Sequence, residues 1–143
     1  MYIELYSNLK HILTHEMIVS FLYKHLDRFR DSKEDIKKCL DYVFSKEESE
    51  GGFILCALED DNLLGVVVMI ETGMIGYIPE NFLVYIAVDA ENRGRGIGSK
   101  LIKQAIDKAN GDVALHVEFD NPAKKLYEHL GFKSKYAEMR FKK

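Results

Sequence analysis

Three glycines at alternate positions, Gly94, Gly96 and Gly98, follow an apolar run and open an amphipathic one. Without Cβ atoms, such a stretch lets successive backbone N–H groups converge on one point. The helix predicted to begin there adds the unpaired N–H groups and partial positive charge of its first turn. Together they describe an anion site suited to a pyrophosphate. Charge agrees, because Arg93, Arg95, Lys100 and Lys103 occupy the stretch to Gln104 without an acid among them, and Lys124 and Lys125 follow on the next helix. Other phosphate motifs fit badly. A dinucleotide fingerprint counted from Gly94 needs glycine where Ser99 stands, and Gly98-Ser99-Lys100 is not the Gly-Lys-Ser/Thr of a P-loop.

A second constellation runs from Asp120 to Phe132 and reads as a complete capped helix. Asn121 suits the N-cap and Pro122 the first helical position. Ala123, Leu126, Tyr127 and Leu130 form its apolar stripe. Gly131 suits the left-handed residue beyond the helix, with Phe132 packing back on Leu126 or Tyr127. Tyr127, with an ordinary phenol value of about 10, is a proton donor at neutral pH. Glu80, His116 and Glu118 are the groups placed to accept a proton, directly or through water.

Several elements must hold these groups. Phe82 to Val88 is apolar on both alternating faces and predicts a central strand covered on both sides. Ile97 to Asn110 predicts a helix, Val113 to Phe119 a strand, and Pro122 to Leu130 the capped helix. A last strand is expected to end near Phe141. Upstream, Gly52 to Ile70 predicts a hairpin turning at Glu59-Asp60-Asp61-Asn62, and residues 72 to 81 a loop. The first third reads as helical. Leu13, Met17, Phe21, Leu22, Leu26 and Phe29 form one stripe, and Ser32 caps a second helix bearing Ile36, Cys39, Leu40 and Val43. The expected fold class is mixed α/β: a mostly antiparallel sheet with helices on both faces, in a single domain spanning residues 1 to 143.

Composition narrows the function. Apolar residues make up 47% and charged residues 30% of 143, ordinary for a globular domain. A net charge of -3 gives no reason to bind nucleic acid or anionic lipid. Charges and histidines interrupt every apolar run near the N-terminus, so neither a signal peptide nor a membrane span is expected. Cys39 and Cys56 have no metal-ligand spacing, and no metal is expected. A cytoplasmic protein, monomer or homodimer, is the expectation.

Arg93-Gly94-Arg95-Gly96-Ile97-Gly98 resembles the Arg/Gln-x-x-Gly-x-Gly/Ala turn of the GNAT superfamily. Ala123, Leu126, Tyr127, Gly131 and Phe132 resemble its second signature, in which Asp120 or Asn121 takes the place of the family asparagine. The resemblance implies an N-acetyltransferase using acetyl-CoA, with a splayed strand pair in the sheet. It implies that Arg93, Gly94, Arg95, Gly96, Ile97, Gly98 and Ser99 hold the pyrophosphate, and that Ile86, Ala87 and Val88 pair with the pantetheine arm. Asn121 and Lys124 join the cofactor site, and Tyr127 protonates the departing thiolate, with Glu80 the first candidate base. The acceptor is an amine on a small molecule or peptide, roofed by the first two helices and the loop bearing Met74, Ile75 and Tyr77. Two alternatives share the turn: a coenzyme A-binding regulatory module without turnover, and an RNA-binding module, which the acidic balance disfavours.

Overall fold

The computed structural model describes residues 1–143. Its sheet has five strands in the order β1 (Tyr2–Leu5), β2 (Gly52–Glu59), β3 (Asn62–Glu71), β4 (Asn81–Val88) and β5 (Val113–Leu115). Neighbours are antiparallel except β4 and β5, which run parallel. Helices α1 (His15–His25) and α2 (Lys33–Val43) cover one face; α3 (Ile97–Lys108) and α4 (Ala123–His129) cover the other. No helix is long and apolar enough to cross a membrane.

Each face carries its own core. Ile18, Leu22, Ile36, Leu40 and Val43 pack with Ile54, Cys56, Leu58, Val66 and Val68. Leu55, Ala57, Val67, Met69 and Leu83 pack with Ile97, Leu101, Ile102, Ala105 and Tyr127 on the opposite side. Strands buried on both sides explain the unbroken apolar runs of the sequence. Burial raises the Cys56 thiol to about 12 and the Cys39 thiol to about 11, so both remain protonated packing groups. The hairpin turns on Asp60 and Asp61, both left-handed at φ 51° and 62°, the backbone of a two-residue type I′ loop.

Two irregularities shape the sheet. Register slips between Val68↔Tyr85 and Met69↔Leu83, so Val84 is an extra residue in β4, a bulge that bends the strand. A second slip leaves Leu64 unmatched in β3. Beside it, Gly65 has no room for a side chain: a Cβ would lie 2.7 Å from Leu101 Cδ1 and 3.1 Å from Ile97 Cγ2. Helix α3 rests directly on the strand there. Gly65→Ala is therefore expected to cost about 1–3 kcal/mol by overpacking. It should also lift the N-terminus of α3; urea unfolding measures the cost, and an unchanged midpoint contradicts this packing.

The structure departs from sequence expectation in four places. The first residues form β1 rather than helix. Helix α1 starts after Thr14, whose Oγ1 accepts the Met17 N–H, and its buried stripe is Ile18, Val19, Leu22 and His25. Met17 consequently faces outward. Strand β5 has three residues instead of seven, because β4 bends away beyond Leu83. The segment from Lys133 to Lys143 forms no strand.

Candidate active site

The glycine turn lies at the C-terminal end of β4. Gly94 and Gly96 adopt φ of 83° and 78°, which L-residues resist, and a Cβ on either would touch nothing within 4 Å. Their need is conformational, and the space above them is open. The first helical bond of α3 runs from Lys100 N–H to Gly96 O. No acceptor of the chain takes the N–H groups of Gly94, Arg95, Gly96, Ile97, Gly98 and Ser99. Six unpaired donors at a helix N-terminus fit a diphosphate well.

Beneath the turn, the sheet parts. Strands β4 and β5 pair only as Asn81↔Val113, Phe82↔Ala114 and Leu83↔Leu115. The Asp89 N–H donates to Leu64 O, toward β3. Alternation then turns the backbone groups of Ile86 and Val88 the other way, into the gap. The Val88 carbonyl accepts Arg93 Nε at 3.2 Å, whereas the polar groups of Ile86 have no ladder partner. A slot with an open strand edge, leading from the glycine turn to the vertex at Leu83 and Leu115, suits an extended amide-containing chain.

Helix α4 packs Tyr127 into the core on the α3 side of the sheet. Gly131 is left-handed at φ 106°; its N–H donates to Glu128 O and the Phe132 N–H to Tyr127 O, closing the helix. The Phe132 ring meets that of Tyr127 edge-on at 5.8 Å. Tyr127 is 7% exposed, and burial raises its phenol to about 12. Its Oη has no partner in the chain, yet no sealed polar atom is left unsatisfied, so the hydroxyl reaches solvent. The group is a protonated donor with its hydrogen free.

The sequence profile of the acetyltransferase (GNAT) family matches residues 9–132. The chain belongs to the GNAT acetyltransferase family. Among curated proteins, N-alpha-acetyltransferase 30 of Schizosaccharomyces pombe is 31% identical over 108 residues, covering 72% of this chain and 71% of the relative. Among solved structures, an acetyl transferase from Pyrococcus furiosus superposes with a TM-score of 0.67 at 26% identity, covering 99% of this chain and 98% of its own. An aminoglycoside 6'-N-acetyltransferase from Acinetobacter haemolyticus superposes with a TM-score of 0.69 at 18% identity, covering 100% and 98%. The protein is thus an N-acetyltransferase, an enzyme of a family that uses acetyl-CoA as co-substrate.

Within this acetyltransferase, the remaining sequence-predicted residues have definite places. The Arg93 guanidinium is occupied, donating to Val88 O and, at 2.7 Å, to His25 O at the end of α1. Arg95 donates to Asn92 Oδ1 and Glu59 Oε2. Both arginines fasten the turn in place, while Arg95 also offers its backbone N–H. Ser99 stands in the first turn of α3 with no side-chain bond, and Lys124 lies 3.4 Å from Glu128. Asn121 Oδ1 accepts the Ala123 N–H at the start of α4, whereas Asp120 pairs with Arg28 at 2.9 Å. Arg28 holds the Asp120 carboxyl below its ordinary value.

Glu80 lies just before β4, eight residues from its last residue Val88, which at about 3.3 Å per residue separates it from the glycine turn by more than 20 Å. Its carboxylate accepts the N–H groups of Gly76 and Asp112, which hold its pKa below the usual range. His116 is the first residue of its segment beyond the last strand pair and meets the Phe82 ring edge-on at 4.8 Å. Two residues carried no sequence signal. His25, 8% exposed, accepts the Ala90 N–H at Nδ1, and burial outweighs nearby Asp89 to hold its pKa down. Tyr85 donates to Asp31 at 2.6 Å. Both contacts join residues more than fifty positions apart, which local periodicity does not register.

Proposed function

We propose that this acetyltransferase binds acetyl-CoA with its pyrophosphate on the N–H groups of Gly94 to Ser99 and its pantetheine arm along the open edge of β4 at Ile86 and Val88. The observation that carries the reading is the set of six unpaired donors at the head of an unzipped strand pair. The thioester then reaches the vertex near Val84 and His116. Nucleophilic attack by a neutral amine on the thioester carbonyl forms the C–N bond and breaks the C–S bond. The departing thiolate takes the Tyr127 proton, and the proton shed by the acylated nitrogen passes through His116 or water to restore the Tyr127 phenol. Tyr127, protonated to about pH 12, retains that proton until it is needed.

The acceptor favoured is the α-amine of a peptide or protein. An α-amine, with a pKa near 8, costs only about 1 kcal/mol to deprotonate at pH 7, against roughly 4–5 for a lysine. That matters here, because two backbone N–H donors hold the Glu80 carboxyl below its usual range and make it a weaker base, and only His116 stands near the vertex. The name of the yeast relative, an N-alpha-acetyltransferase, supports the same class. Two unbridged thiols suit work in a reducing cytoplasm.

The test is thiol release from acetyl-CoA with a peptide bearing a free α-amine, the same peptide with that amine blocked and a lysine added, and a polyamine. Release is expected with the first alone. Turnover of only the blocked peptide or the polyamine would overturn the acceptor class and leave the cofactor reading standing. Coenzyme A binding without turnover of any amine would instead favour the regulatory module.

A further inference from the structure

At the opposite end of β4 from the glycine turn lies an open pocket of about 480 Å³. It is lined by Glu71 at the end of β3, Met74 and Ile75 in the following loop, Glu80 and Asn81 entering β4, and Gly111 before β5. The paired stretch Asn81–Leu83 with Val113–Leu115 stands between this pocket and the slot where β4 and β5 part. It is a separate site.

Asn81 defines its chemistry. The residue is 2% exposed, and its Nδ2 donates to two backbone carbonyls, Asn110 O at 3.1 Å and Asp112 O at 3.3 Å. Two carbonyl acceptors fix which way the amide faces, since an oxygen turned toward them would be repelled. The Oδ1 atom consequently points away, accepts no hydrogen bond from the chain, and is not sealed from solvent. The residual opening of Asn81 is the pocket it lines. A carbonyl oxygen of a buried side chain that opens onto a cavity and has no partner in the chain is free to accept a donor from outside.

Of the other polar side chains of the wall, the Asn110 amide can offer either sense of hydrogen bond and two are acidic. Glu71 and Glu80 are carboxylates, and no lysine or arginine lines the pocket. Glu80 is held ionised by the N–H groups of Gly76 and Asp112, which leave lone pairs on both oxygens. Met74 and Ile75 add an apolar side, with Ile75 80% exposed. A wall with two carboxylates, an unpartnered carbonyl oxygen and no cation, beside an aliphatic surface, suits a cationic donor. We propose that this pocket binds an alkylammonium ligand, its N–H groups donating to Asn81 Oδ1 and the two carboxylates and its carbon chain lying on Met74 and Ile75.

The inference is independent of acetyl transfer, so the experiment omits coenzyme A. The full chain, labelled with ¹⁵N, is titrated with 1,6-diaminohexane and separately with 1,6-hexanediol at pH 7. The diamine is expected to shift the Asn81 side-chain amide and the Gly111 backbone amide in a saturable way, while the diol leaves them unmoved. Glu71→Gln, which preserves shape and removes one charge, is expected to weaken the diamine by about tenfold, the effect of one lost charge-assisted contact. Ile75→Ser is expected to weaken it less. Equal binding by diol and diamine, diamine affinity unchanged in Glu71→Gln, or shifts confined to residues outside the pocket would each overturn the proposal.

Discussion

Gly98→Asp is expected to cost roughly a hundredfold in affinity for coenzyme A while leaving the protein as stable as before or slightly more so. Gly98 is the second residue of α3 and has ordinary backbone angles, so its lack of a side chain is not forced by strain. A Cβ there would lie 3.6 Å from Val88 Cγ2 and 3.8 Å from Leu126 Cδ2, comfortable contacts facing the slot. A carboxylate near the start of a helix is favourable by about 0.3–1 kcal/mol, and glycine is the poorer helix former. The same carboxylate would occupy the donors meant for a diphosphate and repel it, worth on the order of 3 kcal/mol. Thermal melting and calorimetric titration with coenzyme A measure the two effects separately. Wild-type affinity in a well-folded Gly98→Asp protein would remove the pyrophosphate from this turn.

Tyr127→Phe should lower kcat by about a hundredfold with little change in acetyl-CoA affinity, as loss of a general acid requires. The ring stays, so the contact with Phe132 and the closure of α4 remain. Only the unpartnered hydroxyl is deleted. The phenol supplies a second readout. Its folded value of about 12 exceeds the ordinary 10, so burial of the neutral form supports the fold fully below pH 10. That support is lost as pH rises through 12. Between those limits the wild type is expected to lose roughly 2–3 kcal/mol more stability than Tyr127→Phe. An unchanged kcat would strip Tyr127 of its role, and matching alkaline unfolding curves would show that the phenol is not buried as described.

The parts of the site that were legible in the sequence are those with local causes. Gly94 and Gly96 announce left-handed backbone, and Gly131 with Phe132 announces a closed helix end, because each requirement is met within a few residues. Ser32 likewise names its own helix, its Oγ accepting the Asp35 N–H. What was hidden depends on distant partners. Strand β1 is four residues long and exists because Ile3 and Leu5 find Ala57 and Leu55. Arg93 looked like a phosphate ligand from its neighbours, and only the fold brings the His25 carbonyl within its reach. The bulge at Val84 is equally silent, since the burial of β4 alternates as in a straight strand. Its consequence, the early end of β5, is why a seven-residue run yields a three-residue strand.

That bulge carries an implication for how the cleft arose. Leu83 faces α3 and α4, Val84 and Tyr85 both face α1 and α2, and Ile86 resumes the first side. Excising Val84 from the chain would therefore put no other side chain on the wrong surface; it would merely restore an uninterrupted ladder. A single codon separates a sheet sewn shut to its end from one with room for a substrate.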